Sequence, residues 1–276
     1  MLKRDHWGGA RLTGGAGFVV AAAVMVGAWG GAARGDTLIF DNFDNVGTGS
    51  SINGRLAPVN NNNAWLSSTV SFLGNGSGGL SADTSQAKTA SIDLGSSFLS
   101  THPGIYDLSL DITQPTSTNP GSSWAALGFL PSNSVGSNAV TNNASPWMLY
   151  RYNGNVVVFA GPNTSEKLFD SGGYAPTGSP HTFRLELNTT KPMWTLGAFV
   201  DGVALDLNGV GAGTTYEFMT NPTSSHYVGM STGVNGAAST ATVDNFQLVQ
   251  VTPLPSAAGM AVVGFAGLLV GRRRAR

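Results

Sequence analysis

The chain of 276 residues has no cysteine, which removes disulfides, thiolate metal sites, iron–sulfur clusters and a cysteine nucleophile at once. Charge is scarce too. Lys, Arg, Asp and Glu make up 11% of the residues, less than half the usual share of about 25%. The only glutamates are Glu166, Glu186 and Glu217, no Gly-x-Ser-x-Gly elbow occurs, and His102, His181 and His226 stand without an acidic or histidine partner at metal-ligand spacing. Asn, Ser, Thr and Gly fill the places that charges usually hold, a composition suited to a hydrated extracellular surface.

The formal net charge of −1 averages three unlike pieces. Residues 1–35 carry +3, residues 252–276 carry +4, and the stretch between them carries −8. An acidic central domain repels phosphate backbones, so nucleic acid is not an expected partner.

Both ends read as addresses. Lys3, Arg4 and Arg11 precede an apolar run from Ala16 to Trp29 and small residues up to Gly35, the layout of a secretory signal peptide over 1–35, with cleavage expected between Gly30 and Asp36. At the other end Pro253, Leu254 and Pro255 lead into an uncharged run from Ser256 to Val270, followed by Arg272, Arg273, Arg274 and Arg276. As a helix, the 17 residues from Leu254 to Val270 span roughly 25 Å against a hydrocarbon core of about 30 Å. The arginines would stay cytoplasmic and leave everything before Pro253 on the far side of the membrane.

That tail resembles the bacterial PEP-CTERM sorting signal in its Pro-Leu-Pro variety. The resemblance implies a single transmembrane helix over 252–276 that holds the protein transiently in the inner membrane. It also implies recognition by an exosortase, cleavage near the proline motif, and a final place at the cell surface or outside the cell, near exopolysaccharide.

The domain between, 36–251, is long enough for one buried core and reads as all-β. Tyr106, Leu108, Leu110 and Ile112 alternate with Asp107, Ser109 and Asp111; Phe183, Leu185 and Leu187 alternate with Arg184, Glu186 and Asn188. Asn153-Gly154 and Asp201-Gly202 mark hairpins with tight type I′ turns. Further strands are expected at 37–43, 64–72, 89–94, 123–129, 226–231 and 240–251, giving a two-sheet antiparallel sandwich. The strand sequences His181–Leu187, Phe199–Gly202 and Val243–Phe246 resemble concanavalin A-like lectin/glucanase (laminin-G-like) jelly rolls.

Glucanases of that family place two Glu around an Asp on one strand, a pattern absent here, and the chain is expected not to be an enzyme. Its expected role is structural or adhesive. The alternatives are a carbohydrate-binding module for exopolysaccharide and, behind it, a polysaccharide-active hydrolase or lyase. Rings on a sandwich face bind sugars, which makes Trp147, Tyr150 and Tyr152 candidates. No cofactor is expected beyond calcium. For that ion the repeated tripeptides Asp41-Asn42-Phe43 and Asp244-Asn245-Phe246 offer Asp41, Asp244 and Asn245, since adjacent first and last strands would bring hard oxygen ligands together.

Overall fold

The computed structural model describes residues 34–58, 63–83, 88–113, 123–133, 144–162, 164–171, 178–211, 214–233 and 240–252. Residues 1–33 of the expected signal peptide, the sorting residues Pro253, Leu254, Pro255, Arg272, Arg273 and Arg274, and Asn60 to Asn62 lie outside them, while Arg34 and Gly35, assigned above to the signal peptide, begin the first strand. Among the described residues no helix is long and apolar enough to cross a membrane.

Period-two alternation builds the first sheet. Strand β6 (Ile105–Thr113) buries every second side chain along its length, and β11 (Pro180–Asn188) does the same from Phe183 onward. These two pair in register at the centre, Leu110 opposite Phe183 and Leu108 opposite Leu185. On one flank β11 is followed by β12 (Thr195–Val200), which pairs with the short β13 (Val203–Ala204) and β14 (Tyr216–Glu217). On the other flank β6 pairs with the long last strand, β16 (Thr240–Thr252). The far edge of β16 is shared end to end by β1 (Arg34–Asp41) and β4 (Leu80–Asp83), and β3 (Leu73–Gly74) adds to β4.

The second sheet runs β10 (Lys167–Asp170), β9 (Val156–Phe159), β8 (Trp147–Arg151), β7 (Trp124–Leu130), β15 (Tyr227–Gly233), β5 (Lys88–Asp93), β2 (Leu66–Ser67). Its central strands are buried on both faces, so their sequences read as apolar runs without clean alternation. Between the sheets lies the main core, in which Trp65 packs edge-on to Phe246 at 4.9 Å between ring centroids and against Phe43 at 5.8 Å. A second cluster, built on Trp147, Phe159, Leu149 and Val157, lies on the other face of the second sheet. Cross-strand Gly128 and Gly229 make room there: a Cβ on Gly128 would stand 2.6 Å from that of Trp147.

The all-β sandwich expected from the sequence is the architecture found, with local differences. Asp201 and Gly202, at φ 51° and 78°, form the two-residue type I′ link between Val200 and Val203. The other hairpin is not of that type. Its loop has three residues, Tyr152 to Gly154, with the Gly154 amide donating to the Arg151 carbonyl at 3.0 Å and only Gly154 at positive φ. Strand 64–72 shrinks to β2, because the chain turns between Ser68 and Ser71 and Phe72 takes φ 54° to enter the core. β4, β10, β14 and the single helical turn α1 (Phe98–Thr101) are additions.

Candidate functional site

The two repeated tripeptides are neighbours: Asp41 faces Phe246 across β1 and β16. They do different jobs. The Asp41 side chain is fully buried, and its oxygens accept four bonds, from the Phe43 amide (3.0 Å), Arg55 Nη2 (3.0 Å), Arg55 Nε (3.1 Å) and Trp65 Nε1 (3.0 Å). A carboxylate has about four lone-pair sites, so Asp41 has none left for an ion. This corrects the three-ligand calcium set. Asp41 is a lock that ties the loop carrying Arg55 and Trp65 to the first strand.

Asp244 and Asn245 instead face the outside of the first sheet. On β6 and β16 the outward row pairs Thr113 with Thr242 and Asp111 with Asp244, after which a bulge interrupts the register. Asn245 is the bulged residue, held at φ 51°, a left-handed conformation that Asn tolerates better than most residues. The bulge lets Phe246 turn into the core while Asn245 Nδ2 reaches across to donate to Asp111 Oδ2 at 2.8 Å. Asp111 Oδ1 accepts from Thr182 Oγ1 at 2.6 Å. The result is an open groove of about 250 Å³, lined by Asn75, Ser77, Asp111, Thr113, Thr242, Asp244 and Asn245 among others.

Burial raises the Asp244 pKa to about 6. The Asn245 amide, which donates to Oδ1 at 2.7 Å, opposes the shift, while the negative charges of Asp44, Asp111 and Asp41 reinforce it. Such a group changes charge near neutral pH and can both donate and accept hydrogen bonds there. Among the described residues no three His, Asp or Glu side chains converge as a metal site.

The aromatic candidates lie elsewhere. Trp147 is fully buried, stacked on Phe159 at 4.2 Å and donating through Nε1 to the Gly161 carbonyl at 2.9 Å. Tyr150 is also fully buried, packed in the main core against Phe183, and its hydroxyl has no hydrogen-bond partner. Neither presents a ring to a ligand; of the three, only Tyr152, half-buried in the hairpin loop, reaches solvent. The second cluster buries Trp147 on a face expected to be solvated, and the main core between the sheets buries Tyr150 on the other.

Glu186 is bonded to Arg184 at 3.2 Å, as its place on the same strand face suggested, and Asp107 holds the same guanidinium at 2.8 Å. Along β7, β8 and β15 the outer row reads Trp124, Ala126, Gly128, Leu130; Trp147, Leu149, Arg151; Tyr227, Gly229, Ser231, Gly233, and on the adjoining β5 Asp93 stands opposite Tyr227. Asp111, now central to the groove, was visible in sequence only as one polar position of an alternating strand. Its meeting with Asp244 depends on strand order, which alternation does not encode.

No family model matches the chain, and no curated protein matches it in sequence. In structure it is similar to an endo-1,3-beta-glucanase from Streptomyces sioyaensis, at 14% identity over 79% of this chain and 97% of the glucanase, with a TM-score of 0.51. It also matches the potassium-bound carbohydrate recognition domain of Emp46p (12% identity, 74% and 97% of the two chains, TM-score 0.46). A third match is the VIP36 exoplasmic/lumenal domain in its Ca2+/Man3GlcNAc-bound form (10%, 65% and 83%, TM-score 0.41). The concanavalin A-like jelly roll anticipated from three short strand sequences is thus the fold of this domain, shared with a glucanase across nearly the whole of that enzyme.

Proposed function

We propose that this chain is an exported, non-catalytic adhesin of the cell surface that binds polysaccharide in the groove around Asp111, Asp244 and Asn245. In this reading the signal peptide directs export. The Pro253-Leu254-Pro255 segment and its arginines then hold the protein in the inner membrane until an exosortase cuts it. The observation that carries the ligand class is the donor set of the groove: two carboxylates, two amides and three hydroxyls around a volume of about 250 Å³. Carboxylates and amides read vicinal sugar hydroxyls as donors and acceptors together.

The groove also stands at a fitting place. Thr113 and Thr242 lie at the end of the first sheet opposite Ile105, Val251 and Thr252, so a ligand there is held away from the point where the chain leaves for its tail.

Affinity chromatography of the secreted protein on a panel of polysaccharides, including the host's own exopolysaccharide, tests the reading. Retention should fall about tenfold with Asp111→Ala, a loss of about 1.4 kcal/mol, with no reducing ends released from any substrate. No retention of the unaltered protein on any member would refute sugar binding, and mass spectrometry of its C-terminus in membrane and extracellular fractions would report sorting separately.

A further inference from the structure

One end of the first sheet gathers features that the sugar reading leaves unused. Asn188 and Val251 flank Ile105 on either side, Thr195 lies beyond Asn188, Glu217 beyond Thr195, and Arg34 pairs with Thr252. All of these therefore share the end from which the chain continues into residues 253–276. Past Thr195 and Glu217 the ladder goes on, with the Phe218 amide donating to the Trp194 carbonyl at 2.9 Å. The next residues outward are Met193 and Met219. They are 49% and 94% exposed, and Met219 is the most exposed large apolar side chain among the described residues. Lys191, two residues before Met193, is exposed.

We infer that this methionine end of the sandwich is a lipid-contact surface, seated in the headgroup layer of a zwitterionic membrane while the tail is inserted. The inference rests on the proposed tether. Chain length makes the argument: only residues 253–255 separate Thr252 from the uncharged run that begins at Ser256, and they reach at most about 14 Å. Met193 lies three strand spacings from β16, about 14 Å sideways, and Met219, past the end of β14 on the far side of β12, lies four, about 19 Å. A headgroup layer is about 5–8 Å deep, so a domain on so short a leash meets it with this end. Unbranched, polarisable methionine side chains suit an irregular apolar boundary, and Lys191 can reach phosphate from the same strip. The domain's charge of −8 argues against strongly anionic lipid.

The test uses the full chain reconstituted in phosphatidylcholine vesicles, isolated by flotation and treated with hydrogen peroxide. Sulfoxide at each methionine is followed by mass spectrometry, against a free methionine peptide as the exposed reference and buried Met230 as the protected one. Met219 should oxidise about tenfold more slowly than the peptide, despite its exposure in the protein alone. Flotation with Met219 reacting at the peptide's rate would overturn the lipid seat and leave the tether standing. Failure to float would overturn both. Protection found in native membranes but absent from protein-free vesicles would assign the surface to a protein partner and overturn the lipid reading as well.

Discussion

Replacing Asp41 with Asn keeps the shape of the side chain and removes its charge, which isolates the lock between β1 and the Arg55–Trp65 loop. The amide retains one acceptor oxygen, enough for two of the four donors, and turns an NH2 group toward the others. Removing one partner of a buried ion pair costs about 3–5 kcal/mol. Water lowers that figure here, because the Arg55 side chain is 21% exposed. An orphaned buried Trp65 N–H adds about 1–3 kcal/mol, bringing the expected loss to about 4 kcal/mol. For a domain of this size each kcal/mol moves the melting temperature by about 2–4 °C, so Asp41→Asn should melt about 8–16 °C lower by circular dichroism or calorimetry. The double variant Asp41→Leu/Arg55→Met, which removes both charges, should be more stable than Asp41→Leu alone. A drop of less than about 3 °C for Asp41→Asn would refute the argument, since it would mean the four bonds contribute no more than one ordinary hydrogen bond.

Tyr150→Phe should raise stability by about 1 kcal/mol in chemical denaturation, because it removes a buried hydroxyl without a partner; a loss instead would reveal a bonded water. The pH profile follows from Asp244. Its pKa is higher folded than unfolded, so its contribution favours the native state below about pH 4 and is lost as pH rises through about 6. The unaltered protein should therefore lose melting temperature between pH 4 and pH 7 by more than Asp244→Asn does, and parallel curves would contradict the raised pKa. Calcium at millimolar concentration should shift the melting temperature by less than about 1 °C, given a fully bonded Asp41 and no three-ligand cluster among the described residues; a shift of several degrees would restore calcium to the groove.

The sequence was most legible where one face of a strand is wet. β6 and β11 declared themselves by alternation, and Asp201-Gly202 by a turn that only positive φ satisfies. It was least legible where tertiary structure covers both faces. Trp147 and Tyr150 look alike in sequence to rings that greet a ligand, and only the second cluster and the inter-sheet core show that they do not. The echo between the two Asp-Asn-Phe tripeptides correctly brought the first and last strands together, yet identical letters gave opposite chemistry. In the first copy Asp41 turns inward to Arg55 and Trp65; in the second a bulge of one residue sends Asp244 and Asn245 outward. Asp111 completes the groove from a strand more than 130 positions away from Asn245, a distance over which no local pattern carries information.

The pairing of Arg34 with Thr252 fixes how the domain would carry a mechanical load. A pull on the tail, resisted by a ligand near Asp244, runs along the length of β16. That strand is held on one side by β6 and on the other by β1 and β4 in succession, so the force acts in shear on many ladder bonds together rather than peeling them apart one at a time. The other edge strands of the two sheets, β3, β13 and β14 in the first and β2 and β10 in the second, lie outside that path. A surface protein tied at one pole and gripped at the other would place its longest strand, flanked on both edges, where the strain is greatest.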